Sequence, residues 1–224
     1  MTPQNLSLVH LIQPPKITLA KSPLFLLLHG YGSNEADLFS LAAELDDRFF
    51  VVSARAPLSL GYGAHAWFHL DFTPGGLQMK PEEAERSRLL LLKFIGELAA
   101  QYPVDASNVF IAGFSQGAIL ALSVALTEPE KVAGVVAMSG RLPPEKMITV
   151  ASSGRLTNLP VLISHGISDP VIPVSQAREA KAMLETLPVN LTYREYPMGH
   201  TISARSLADI SLWLTARLGA AAKS

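Results

Sequence analysis

Gly113-Phe114-Ser115-Gln116-Gly117 is the stretch on which the reading of this chain turns. Before it runs Asn108-Val109-Phe110-Ile111-Ala112, short, apolar and β-branched, the pattern of a buried parallel strand. After it, Ala118 to Leu126 is apolar except for Ser123 and reads as a packed helix. A strand that turns sharply into a helix leaves its turn residue little steric room. Glycines two before and two after let the chains approach, and the middle side chain stands above the sheet. The helix N-terminus then sets unpaired backbone N–H groups beside that side chain, where an anionic intermediate could be held. A serine so placed suits acyl transfer; the bland alternative is a tight turn without chemistry.

Composition sets the bounds. At 224 residues the chain is long enough for one α/β domain and short for two. A hydrophobic share of 49% with 17% charged residues is ordinary for a globular protein. A net charge of −1 gives no sign of electrostatic capture of nucleic acid or of an anionic membrane. Cysteine is absent, which excludes disulfides, thiolate metal sites and a cysteine nucleophile together. Met1-Thr2-Pro3-Gln4-Asn5 lacks a positive cluster followed by an apolar core, so no secretory signal is expected and a cytoplasmic location is. Leu24 to Leu28, the most apolar run, is far too short to span a bilayer.

Apolar runs alternate with helical patterns through most of the chain, which predicts a mostly parallel sheet covered on both faces. Strands are expected at Leu6–Ile12, Leu24–His29, Phe49–Ala54, Asn108–Ala112, Val132–Met138, Pro160–Ser164 and Asn190–Tyr196. The first is an edge candidate because Pro14-Pro15 follow it. Helices are expected near Glu35–Leu45, Glu82–Gln101, Gln116–Thr127, Ser175–Leu187 and Ile202–Leu218. Two segments break the rhythm: Ala56–Met79, with Tyr62, Trp67, Phe68 and Phe72, and Arg141–Leu159, with Pro143-Pro144. The aromatics of the first either line an apolar substrate pocket or plug the open end of the sheet.

In open α/β sheets ligands bind beyond the carboxyl ends of the strands, so each strand end is where a polar group has to be sought. Asp169 follows the strand Pro160–Ser164 in a turn held by Pro170, and His200 follows Asn190–Tyr196. The order Ser115, Asp169, His200 is the order of an α/β-hydrolase triad. A serine hydroxyl is a weak nucleophile, so His200 takes its proton during attack and Asp169 fixes the ring's orientation and tautomer. His29, followed by Gly30-Tyr31-Gly32, is read instead as shaping the backbone of a second oxyanion donor. The oxyanion hole is thus assigned to the backbone N–H groups of Tyr31 and Gln116. His165 is read as a structural or supporting residue, Ser139 lacks the preceding elbow glycine, and Asp105 precedes its strand.

His29-Gly30-Tyr31-Gly32-Ser33-Asn34-Glu35-Ala36-Asp37-Leu38, Gly113 to Ala118, Asp169 to Pro173 and Gly199-His200 together resemble the phospholipase/carboxylesterase family of α/β-hydrolases. The likeness covers nearly the whole chain. It implies an α/β-hydrolase fold with a mostly parallel sheet of about seven strands and helices on both faces. It implies one domain over 1–224, with irregular cap-like segments near 56–80 and 141–159. It also implies a carboxylesterase-type serine hydrolase using Ser115, Asp169 and His200, with Tyr31 and Gln116 as oxyanion donors and no metal or cofactor. Ala66-Trp67-Phe68 resembles the family's aromatic segment near the acyl pocket, which makes Trp67 and Phe68 the expected substrate contacts. Gly-Tyr-Gly-Ser-Asn-Glu stands where the thioesterase branch tends towards Gly-Leu-Gly-Asp, which favours a general carboxylesterase over a protein depalmitoylase. The expected partner is a small-molecule or lipid-like ester, not nucleic acid, and a homodimer is left open.

Overall fold

The computed structural model describes residues 6–73, 76–144 and 148–221. Positions 74–75 and 145–147, within the two irregular segments, lie outside the described residues. So does Met1–Asn5, on which the expectation about a signal rests.

The chain runs through β1 (His10–Gln13), β2 (Ser22–Leu28), β3 (Phe50–Ala54), β4 (Leu58–Gly61), β5 (Ala64–Ala66), β6 (Leu70–Thr73) and β7 (Gly76–Met79). It continues through α1 (Pro81–Gln101), β8 (Val104–Phe114), α2 (Gln116–Thr127), β9 (Gly134–Met138), α3 (Ser153–Leu156), β10 (Pro160–Gly166), α4 (Val174–Leu184), β11 (Asn190–Tyr196) and α5 (Ala204–Ala221). Seven strands form one sheet in the order β1-β3-β2-β8-β9-β10-β11. β1 pairs antiparallel with β3, and every other neighbour in that sheet is parallel.

The apolar runs explain the layers. Leu24, Leu26 and Leu28 of β2 face one core layer while Phe25 and Leu27 face the other, as the two-residue period of a strand requires. β8 divides in the same way, with Val109 and Ile111 on the first face and Phe110 and Ala112 on the second. Helices α1, α2 and α4 cover the first layer through groups such as Phe94, Leu122 and Ala180. α5 covers the second through Ile210, Trp213 and Leu214. Among the described residues, no helix is long and apolar enough to cross a membrane.

Three expectations need correction. The leading strand occupies His10–Gln13 rather than Leu6–Ile12, a short edge piece ended by the proline pair. Glu35–Leu45 is not an α-helix: turns lead into a 3-10 helix at Phe39–Glu44. There Asn34 Oδ1 accepts from Ala36 N at 3.0 Å, and Glu35 is drawn aside to pair with Arg55 at 2.6 Å. Ala56–Met79 is mostly two antiparallel hairpins, β4–β5 and β6–β7. Gly61, Tyr62 and Gly63 carry φ of 88°, 50° and 80°, so glycines that look like loop punctuation serve a hairpin turn.

β11 ends the sheet and carries the His200 loop, so its anchorage matters. Arg178 of α4 donates two hydrogen bonds, each of 2.8 Å, to the Glu195 carboxylate of β11, and Tyr193 OH donates a third at 2.7 Å. Arg178 above all, then Tyr193, holds the Glu195 carboxyl down to about 2. A depressed carboxyl stabilises the fold above its ordinary value and loses that stabilisation as pH falls through its folded value. Glu195→Gln is therefore expected to lower the Tm by about 2 °C near neutral pH. In melts followed by circular dichroism, that gap should close as pH falls from 4.5 to about 2; a pH-independent gap would contradict the ion pair's role.

Candidate active site

Ser115 is the single residue between the end of β8 and the start of α2. Its φ of 53° lies in the left-handed region, a conformation that costs a non-glycine residue about 1–2 kcal/mol. The flanking glycines make the turn possible. A Cβ on Gly113 would stand 2.1 Å from Gly117 O, and one on Gly117 would stand 2.1 Å from Leu28 O. Ser115 N donates to Met138 O of the neighbouring strand at 2.9 Å, and Ser115 O accepts from Ala118 N at 3.1 Å. The serine is thus fixed at both backbone ends while α2 begins directly beneath it.

Asp169 and His200 are brought together by loops after β10 and β11. Asp169 Oδ1 accepts from Val171 N at 2.8 Å and Ile172 N at 2.9 Å. Its Oδ2 meets His200 Nδ1 at 2.7 Å, with the Asp169 side chain wholly buried. Facing a carboxylate, Nδ1 carries the proton, which leaves Nε2 as the accepting nitrogen. The two loops are joined by Ile167 N to Tyr196 O at 2.9 Å and Ser168 N to Met198 O at 3.1 Å. The His200 ring lies against Phe114, the residue before Ser115, with centroids 4.8 Å apart. Among the described residues no hydrogen bond joins Ser115 to His200.

His165 also belongs to this cluster. It is fully buried, and its Nε2 donates to Ile172 O at 2.8 Å while standing 3.5 Å from Asp169 Oδ2. It pins the turn whose amides cradle Asp169. The sequence signal was the His-Gly step at the end of β10, four residues before the aspartate.

The glycine loop after β2 is clamped from beneath. Burial lowers the proton affinity of His29, whose Nδ1 donates to Gly30 O at 2.7 Å while Nε2 accepts from Ala56 N at 3.0 Å. Trp67 Nε1 donates to His29 O at 3.0 Å, and Gly32 N to His65 O at 2.9 Å. Among the described residues the N–H groups of Tyr31 and Gln116 have no such partner.

Trp67 and Phe68, the expected substrate contacts, are both fully buried and pack in the core with Leu91 and Phe94. Gln116 holds them there: its Oε1 accepts from Trp67 N at 2.8 Å and its Nε2 donates to Phe68 O at 2.7 Å. The sequence reading used only the Gln116 backbone and missed this side-chain role, since no short motif links residues so far apart along the chain. Asp105 lies inside β8 rather than before it, yet still at the opposite end of the sheet from Ser115. Ser139, buried after β9, shares the left-handed backbone with φ of 47°.

Sheet order, elbow and loop positions define an α/β-hydrolase. Residues 12–218 match the phospholipase/carboxylesterase family, and the chain belongs to it. It is 30% identical over 174 residues to the probable carboxylesterase SOBER1-like of Arabidopsis thaliana, covering 75% of this chain and 66% of that protein. It is 28% identical over 211 residues to acyl-protein thioesterase 1 of Kluyveromyces lactis, covering 87% and 92%. The carboxylesterase of Bacillus cereus superposes with a TM-score of 0.82 at 28% identity, over 95% of this chain and 96% of that one. The chain is a serine hydrolase of the carboxylesterase class.

The elbow gives a direct steric test. Gly117→Ala is expected to cost roughly 3 kcal/mol of stability, at the upper end of core overpacking, because the added methyl meets backbone that cannot yield. Thermal unfolding measures it, and a melt unchanged from wild type would contradict the packing described.

Proposed function

We propose that this chain cleaves carboxylic esters through an acyl-Ser115 intermediate. His200 acts as general base, Asp169 as its orienting acid, and the N–H groups of Tyr31 and Gln116 as the oxyanion hole. One observation carries the reading: a buried carboxylate holds the His200 ring at 2.7 Å and that ring lies against Phe114, the residue before a serine fixed in a left-handed turn.

Ser115 Oγ attacks the ester carbonyl while His200 Nε2 takes its proton. The imidazolium that forms is stabilised by the Asp169 carboxylate behind it. Charge on the carbonyl oxygen is met by the two uncommitted amides, each such donor being worth on the order of 10²–10³ in rate. The C–O bond then breaks, the alcohol leaves with the proton from His200, and water repeats the sequence on the acyl-enzyme. A serine hydroxyl turns about one bond, and nucleophile–base contacts tighten when substrate binds. His165 acts as a positioning residue by holding the Asp169 turn.

The substrates in this reading are small-molecule or lipid-like esters in the cytoplasm, handled without metal, cofactor or nucleic acid. A second reading, hydrolysis of long acyl thioesters or lysophospholipids, draws on the likeness to the yeast acyl-protein thioesterase 1. A p-nitrophenyl ester series separates the two: kcat/KM falling beyond butyrate supports the first, and a rise towards long chains supports the second.

Ser115→Ala is expected to lower kcat on p-nitrophenyl acetate and butyrate by about 10³-fold or more, with the circular dichroism spectrum unchanged. A fluorophosphonate probe should label wild type at Ser115 and leave the variant unlabelled. Turnover retained by the folded alanine variant would overturn the assignment.

A further inference from the structure

A cavity of about 310 Å³ opens beside His200. Leu38, Leu41, Phe114 and Ile202 give it an apolar wall, and Asp37 and Thr201 add polar groups at the lining. Because His200 Nδ1 is engaged by Asp169, its Nε2 is directed away from the acid turn. A leaving oxygen has to come within hydrogen-bond reach of that nitrogen to receive its proton. A cavity that shares the His200 ring is therefore suited to the alcohol half of an ester. By contrast, the cavity of about 200 Å³ lined by Trp67, Ser87 and Leu90 touches none of Ser115, Asp169 and His200.

The charge of this lining is distinctive. Neighbouring Glu35 is neutralised by Arg55 at 2.6 Å. Asp37 is exposed, and among the described residues its carboxylate has neither a hydrogen bond nor an ion pair. Of the residues lining the cavity it alone is an acid, and no lysine or arginine accompanies it. An unpaired carboxylate beside apolar side chains and the Phe114 ring is a setting that attracts an alkylated ammonium ion by charge and by cation–π attraction.

We propose that this cavity receives the alcohol half of esters of cationic amino alcohols, with Asp37 pairing the ammonium group. The proposal rests on the Ser115 hydrolase reading and supplies its substrate class. The bond changes are those of that reading: the ester C–O bond breaks, the amino alcohol leaves with the proton from His200, and the acyl group stays on Ser115 until water removes it.

Butyrylcholine and 3,3-dimethylbutyl butyrate test it, since they share acyl chain and shape and differ in a quaternary nitrogen against a carbon. At low ionic strength, wild-type kcat/KM is expected to favour the cationic ester by about fivefold or more, the effect of one partly solvated charge pair. Asp37→Asn should bring the ratio towards one, and Asp37→Glu should keep its direction. Raising the salt should lower the wild-type ratio, a readout that needs no variant. Equal kcat/KM for the two esters in wild type, a ratio that Asp37→Asn leaves unchanged, or failure to cleave butyrylcholine while p-nitrophenyl butyrate is turned over would each overturn the proposal. If wild type cleaves p-nitrophenyl butyrate no better than Ser115→Ala, the hydrolase reading fails, and this one with it.

Discussion

A helix can begin one residue after a strand ends only where no Cβ stands in the way. Here the carbonyl oxygens of Leu28 and Gly117 occupy the space that side chains at positions 117 and 113 would need. That packing draws α2 against β2 and β8, and it holds Ser115 in a conformation its own side chain disfavours. Everything else in the site is arranged around this fixed point. The glycine loop after β2 lies alongside it, and the loops after β10 and β11 bring Asp169 and His200 to the same end of the sheet.

Burying a carboxylate is costly unless it is fully hydrogen-bonded. Asp169 meets that condition with two backbone amides on Oδ1 and the His200 ring on Oδ2, while His165 steadies the turn from behind. The same arrangement selects the His200 tautomer, because the nitrogen facing the carboxylate has to keep its hydrogen. Orientation and proton placement are therefore one interaction. In the glycine loop after β2, His29 does comparable work as a neutral ring that donates to Gly30 O and accepts from Ala56 N. With both ring nitrogens engaged, His29 is a scaffold for the glycine loop.

The parts of the site legible in the sequence were those set by local backbone demands. Gly113 and Gly117 announce a close approach, the apolar runs announce parallel strands, and Asp169 and His200 announce themselves by following strand ends. What stayed hidden depends on contacts between distant segments. Nothing local shows that the Gln116 side chain, nearly fifty residues later, bonds to the backbone of Trp67 and Phe68 and anchors that buried pair. The β4–β5 hairpin was obscured for a different, local reason: its Gly61-Tyr62-Gly63 turn has the composition of a loop. Glu35–Leu45 has helical periodicity, yet the Glu35–Arg55 pair and the core contact of Ala42 leave room for only one short 3-10 segment.

The central claim is that the Ser115 hydroxyl, the His200 ring and two backbone amides converge on one reacting carbon. A crystal structure of the protein covalently inhibited by an alkyl phosphonate tests it most directly. The account predicts phosphorus bonded to Ser115 Oγ, with the phosphoryl oxygen within about 3 Å of the amides of Tyr31 and Gln116 and His200 Nε2 within hydrogen-bond reach of Oγ or the departing group. Phosphorus on a different residue, or a phosphoryl oxygen turned away from both amides, would contradict it.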